Sequence, residues 1–116
     1  MGLDASLYRV PKSDALGPLE AKAKEYQEIA YWRKFWGLQY WMELLYRKKG
    51  GKQVFDEKFL QLTAEDLDQL KKDRRNEFFD FSDAFFDEDV KELPKVIAQA
   101  KQVLKSGDCV YYWSSW

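Results

Sequence analysis

The sequence predicts an α+β fold in which a small, mostly antiparallel sheet of three or four short strands packs against about three helices. Three observations carry this. Leu3, Ala5 and Leu7 alternate with Asp4, Ser6 and Tyr8, the period of a half-buried strand, and Val10-Pro11 closes the run. Leu38, Trp41, Met42 and Leu45 recur at the spacing of one helical face, and Leu93, Val96, Ile97, Ala100, Val103 and Leu104 do the same further on. Val110 to Trp113 then form a terminal strand, so strands and helices follow one another as in a small sheet covered on one side by helices.

Along the chain, residues 12–18 carry Ser, Asp, Gly and Pro and read as a loop. Residues 19–28, rich in Ala, Glu and Lys, suit a short exposed helix or an extended approach. Residues 29–32 fit either a short strand or the first turn of the following helix. Residues 31–48, YWRKFWGLQYWMELLYRK, hold three of the five tryptophans, too much aromatic area to leave in water, and are expected to supply the core. A helix over 33–48 follows from their period, with Leu44 widening its apolar stripe; Lys48, Lys49 and Gly50-Gly51 end it. A short strand is expected at 58–62. Thr63 then caps a helix over 64–74, with Ala64, Leu67 and Leu70 inward, acids in its first turn and KKDRR at its end. Phe79 and Phe81 alternate with Asp80 as in a short strand. From Phe85 a helix begins that Pro94 either kinks or restarts, and Gly107 closes it.

A chain of 116 residues is one domain, 1–116, long enough to bury a core without metal or disulfide. Nineteen basic against twenty acidic residues leave a net charge of −1, which argues against a general nucleic-acid binder. Cys109 stands alone and there is no histidine, so disulfide frameworks, zinc sites and histidine-based triads are excluded, and no cofactor is expected. Ser114 and Ser115 have no base to activate them, which leans the reading away from an enzyme. Asp4 and Arg9 interrupt the opening residues where a signal peptide needs an apolar run, and no window reaches the length of a membrane span; a cytoplasmic protein that does not enter a membrane is expected.

Two stretches are candidates for function. In residues 76–92 seven acids and one base interleave with Phe78, Phe79, Phe81, Phe85 and Phe86. Phe85 and Phe86 ringed by Asp83, Asp87, Glu88 and Asp89 could anchor a basic partner surface. These acids lack the spacing and glycine of a calcium loop, and Asp87, Glu88 and Asp89 also suit a helix N-terminus. Arg33, set among Tyr31, Trp32 and Phe35, must find an acid such as Asp4, a ring face or an anion. With Trp113 it would make a nucleotide-like small-molecule site of Asp4, Tyr31, Trp32, Arg33 and Trp113. The basic clusters at 47–52 and 71–75 lie at expected helix C-termini, where basic residues belong anyway.

MGLD at the start, AYWRK at residues 30–34 with Trp41 downstream, the phenylalanine-rich run into Asp87-Glu88 and the closing YYWSSW together resemble a family of small uncharacterised phage and bacterial proteins. Members of that family begin MGLDMYL, carry YWRK before a helix with a His and a Trp, and end in a tyrosine-rich strand with SSW. The resemblance spans nearly the whole chain and implies a shared cytoplasmic α+β fold without an assigned activity. Here Gln39 stands where the family places His, and Asp80 and Ser82 interrupt a stretch that in the family contains Gly. The resulting expectation is a phage- or prophage-type interaction protein whose partner is a bacterial or phage protein, in an anti-defence or immunity-like role.

Overall fold

In the computed structural model, residues 2–74 and 87–116 are described, with the side chains of residues 87–89 excepted. Alternation at the N-terminus becomes β1, Asp4–Val10, whose Ala5 and Leu7 are buried. It is flanked by β4, Gln27–Arg33, and β6, Cys109–Ser115; β5, Phe59–Leu62, pairs with β6. Every pairing in this sheet, ordered β4-β1-β6-β5, is antiparallel. Residues 12–21, expected as a loop and the start of a charged segment, instead make a 3-10 turn, Lys12–Asp14, and a small hairpin of β2, Ala15–Gly17, and β3, Glu20–Ala21. Of the two options for 19–28, the extended one is found, and 29–32 belong to a strand.

Helix α1, Trp36–Lys48, starts three residues later than its apolar period suggests. The ladder decides this: Arg33 still pairs with Asp4, and the Lys34 amide donates to the Leu3 carbonyl at 2.7 Å. Lys34 then takes φ 59°, turning the chain so that Phe35 stands at the N-cap. Leu38, Trp41, Met42 and Tyr46 are buried, whereas Leu44, expected to widen the stripe, is exposed. Gly50, with φ 101°, supplies the left-handed residue after the last turn.

Helix α2, Ala64–Asp73, has the cap that Thr63 promised. Thr63 Oγ1 accepts from the Asp66 amide at 3.2 Å and the Thr63 amide donates to Asp66 Oδ2 at 2.9 Å. Lys49 Nζ, from the end of α1, donates to the same Asp66 oxygen at 2.5 Å and to the Gln61 carbonyl at 2.6 Å, tying two elements together. Leu67 and Leu70 face inward; Ala64, at the mouth of the helix, is exposed. Helix α3, Asp87–Lys105, runs through Pro94 as one element and presents Leu93, Ile97 and Ala100 to the core. The strand expected around Phe79 and Phe81, and the helix start at Phe85, lie outside the described residues.

The three helices share one face of the sheet. Their apolar residues meet Ala5, Leu7, Trp32, Leu60, Val110 and Tyr112 in a single cluster. At its centre Tyr46, Phe55 and Tyr112 stack, with centroids 4.8 Å and 6.0 Å apart. No helix among the described residues is long and apolar enough to cross a membrane.

Candidate functional site: the helix-free face of the sheet

Strand alternation sends every second side chain away from the helices, and the registers align these side chains in rows. Arg33, Asp4 and Ser115 form the first row; Tyr31, Ser6, Trp113 and Phe59 the second; Glu28, Tyr8, Tyr111 and Gln61 the third. Glu28 joins the third row because of a β-bulge. Leu7 pairs with Ala30 and Tyr8 with Glu28, so Ile29 is the extra residue of β4. Unbroken alternation from Tyr31 would have turned Glu28 toward the helices. The bulge moves its carboxylate to the open face, where Ser6 Oγ donates to Oε2 at 3.1 Å, and Ile29 packs on the core instead.

The β2–β3 hairpin covers one end of this face. Tyr111, wholly buried, donates its hydroxyl to the Gly17 and Glu20 carbonyls at 2.5 Å and 3.2 Å, and Val10 and Ala21 pack beside it. From β3 the chain climbs back to β4 through Lys22 to Tyr26. Asp14, almost fully buried, holds this segment down: Lys24 Nζ lies 3.0 Å and Lys22 Nζ 3.7 Å from its carboxylate. The hydrogen bond from Lys24 and the charge of Asp14 raise the Lys24 pKa. Tyr26 donates to the Lys22 carbonyl at 2.6 Å and sets its ring edge-on to Phe59, centroids 6.4 Å apart.

Between this segment and the sheet runs a groove of about 470 Å³. Four rings, Tyr8, Tyr26, Phe59 and Trp113, line it with Ala23, Lys24, Glu25 and Glu28. All four rings are half-buried, supported by the sheet or by one another yet open on the groove side.

Four of the five residues expected to bind a small ligand, Asp4, Tyr31, Arg33 and Trp113, are on this face. Trp32 is not. One position along the strand from both Tyr31 and Arg33, it points into the helical core, buried and edge-on to Phe35 at 6.3 Å, and cannot touch a ligand beside Arg33. The expected bridge from Arg33 to Asp4 is also replaced. Asp4 Oδ1 accepts the Tyr31 hydroxyl at 2.5 Å, and that bond to a carboxylate raises the tyrosine pKa. Arg33 makes no ion pair among the described residues. Its guanidinium runs alongside Gly2, where a Cβ would stand 3.7 Å from Nη2. The groove reaches Trp113 but neither Asp4 nor Arg33.

Asp83, Phe85 and Phe86, expected to meet a partner, lie outside the described residues, as do the side chains of Asp87, Glu88 and Asp89. Sequence reasoning missed Tyr8, Glu25, Tyr26, Glu28 and Phe59. Tyr8 and Phe59 carried a signal, since each stands in an expected strand on the same alternation as Trp113's neighbours; Glu28 carried none, because only pairing with β1 creates the bulge.

The described residues contain no group of histidine, cysteine and acidic side chains that could hold a metal ion. No family model, curated protein or solved structure matches the chain.

Proposed function

We propose that this chain is a non-enzymatic interaction protein of phage or prophage type, and that it binds a bacterial or phage protein partner through the helix-free face of its sheet. One observation carries the reading. The helices and Trp32 already fill a core on one side, yet Tyr8, Tyr26, Phe59 and Trp113 collect on the other, partly open around a groove, with Tyr31 exposed on the same face. Tyrosine and tryptophan gathered on a rigid surface are the residue types that dominate binding energy at protein interfaces. With no histidine in the chain, the hydroxyl–carboxylate pairs on this face, Ser6 with Glu28 and Tyr31 with Asp4, are read as cross-strand contacts rather than as a nucleophile and its base. A nucleotide phosphate drawn to Arg33 would meet the Asp4 carboxylate in the same row of the sheet, so the geometry favours the protein-partner reading.

The test is site-specific photocrosslinking in bacterial cells. Benzoylphenylalanine replaces Ala23, which is exposed and lines the groove, and in a control replaces Gln99, exposed on α3. A discrete crosslinked protein from position 23 and not from position 99 is expected. Identical adduct patterns from the two positions, or none from position 23, would remove this face from any interface.

A further inference from the structure

Resting on the interaction reading above, we infer that the groove beside β4 receives an arginine side chain of the partner. The inference comes from what lines the groove and which charges there are already engaged. Its walls are the rings of Tyr8, Tyr26, Phe59 and Trp113, whose faces are electron-rich and attract a cation, most of all a flat guanidinium that can stack on them. Its charged residues are Lys24, Glu25 and Glu28, and they are not equivalent. Lys24 commits its ammonium to the buried Asp14 carboxylate. Glu28 accepts one hydrogen bond, from Ser6 to Oε2, which fixes the carboxylate while leaving Oε1 without a protein donor among the described residues. Glu25 is exposed at the rim and makes no ion pair among the described residues. The uncommitted charge of the groove is therefore negative, placed at the edge of an aromatic slot.

That combination selects among occupants. A purely apolar side chain would gain from the rings but leave both carboxylates without a partner. An acidic one would be repelled. A guanidinium gains on both counts: its plane lies against a ring, and its N–H groups reach the free oxygen of Glu28 and the carboxylate of Glu25. At about 470 Å³ the groove also accommodates the backbone on either side of such a residue. The β-bulge gains a role here, since without it Glu28 would face the helices and the slot would lose its oriented carboxylate.

The test uses two capped tripeptides, glycyl-arginyl-glycine and the same peptide with citrulline, which keeps the shape and hydrogen-bonding head of arginine but carries no charge. Each is titrated into nitrogen-15-labelled protein to about 10 mM, a range that registers even weak isolated contacts. The Trp113 indole signal is assigned by Trp113→Phe. The arginine peptide is expected to shift the Trp113 indole and the Tyr8 and Phe59 amides saturably, with the citrulline peptide about tenfold weaker. The double variant Glu25→Gln with Glu28→Gln, in which the amide oxygen introduced at position 28 can still accept from Ser6, is expected to weaken the arginine peptide by a similar factor while leaving the rest of the spectrum unchanged. Equal shifts from the two peptides would overturn the cation preference and leave the face standing as a binding surface. No saturable shift at the groove from either would overturn the inference outright, while crosslinking from position 23 decides the interaction reading independently. Undiminished binding of the arginine peptide by the double variant would equally refute the assigned carboxylates.

Discussion

Tyr112 is the residue at which the core is most exacting. It is wholly buried and donates its hydroxyl to Gln39 Oε1 at 2.7 Å, while Gln39 Nε2 donates to the Phe55 carbonyl at 3.2 Å. A tyrosine of the central sheet, an amide of α1 and the backbone beside a stacked ring thus satisfy one another. Tyr112→Phe is expected to cost about 1–3 kcal/mol, because it leaves the Gln39 oxygen buried without a donor; Tyr112→Phe with Gln39→Leu should cost less than the two single changes summed. Urea denaturation of the four proteins measures this, and strict additivity would show that the hydrogen bond is not what couples them. Burial also pushes the Tyr112 phenol far above its ordinary range, and Tyr111 shifts the same way for the same leading cause. The sign follows from which state ionises first. An unfolded tyrosine loses its proton near pH ~10 while the folded one keeps it, so the contribution is complete below that pH and is lost as pH rises above it. Stability should therefore fall above about pH 10 with a slope that Tyr112→Phe makes shallower, and a flat stability profile to about pH 11 would contradict the burial argument. In the sequence Gln39 stood out only as the residue found where the resembled family places His; its partner is 73 positions away, and no local pattern points there.

Among the elements, α2 is the one whose ends were readable in full. Thr63, the acids after it and the basic residues at its close each act through neighbours within four residues, so the N-cap formed where the sequence placed it, and Asp66 completes it as a capping box. Thr63→Ala should lower stability by about 1 kcal/mol, read as an earlier midpoint in urea at unchanged slope. An unchanged midpoint would mean that Lys49, held on Asp66 Oδ2, stabilises the helix start without the cap. Elements whose limits depend on a distant strand were not readable in this way. The apolar period of α1 extends back toward Arg33, yet the ladder with β1 claims Arg33, and the left-handed turn at Lys34 sets the boundary. Likewise β4 showed no sign of its bulge, and so no sign that Glu28 shares a face with Tyr31 and Trp113. Gly51 adds a case of the same kind: a Cβ there would run into the Tyr46 ring, a close approach fixed by packing rather than by any turn preference.

At the scale of the molecule, the last strand is one of the two interior strands of the sheet. β6 lies between β1 and β5, Trp116 Nε1 donates to the Phe55 carbonyl at 2.8 Å, and the Glu57 amide donates to the Ser114 carbonyl at 2.8 Å. Removing Trp113–Trp116 takes away three of the seven β1–β6 pairings, together with two large aromatics. Neither tryptophan is buried, Trp113 being half-buried and Trp116 exposed, so the cost comes from the lost ladder and the buried Ser114; against a total of ~5–15 kcal/mol it should leave the truncated chain with no cooperative melting transition near that of the intact protein. An unaltered melting temperature would make these residues a dispensable tail. The sequence by itself determined the α+β class, the three helices, the strands at both termini, the α2 cap and the chemistry that a chain without histidine cannot perform, because each is a matter of composition or of contacts a few residues apart. Only the tertiary structure decided that Trp32 and Tyr31 part to opposite faces, that Asp4 is held by a tyrosine instead of an arginine, and that a segment after β3 closes an aromatic groove over Trp113. Those facts are set by strand register and by the packing of residues tens of positions apart, where a single extra residue in one strand reverses which side chains reach the surface.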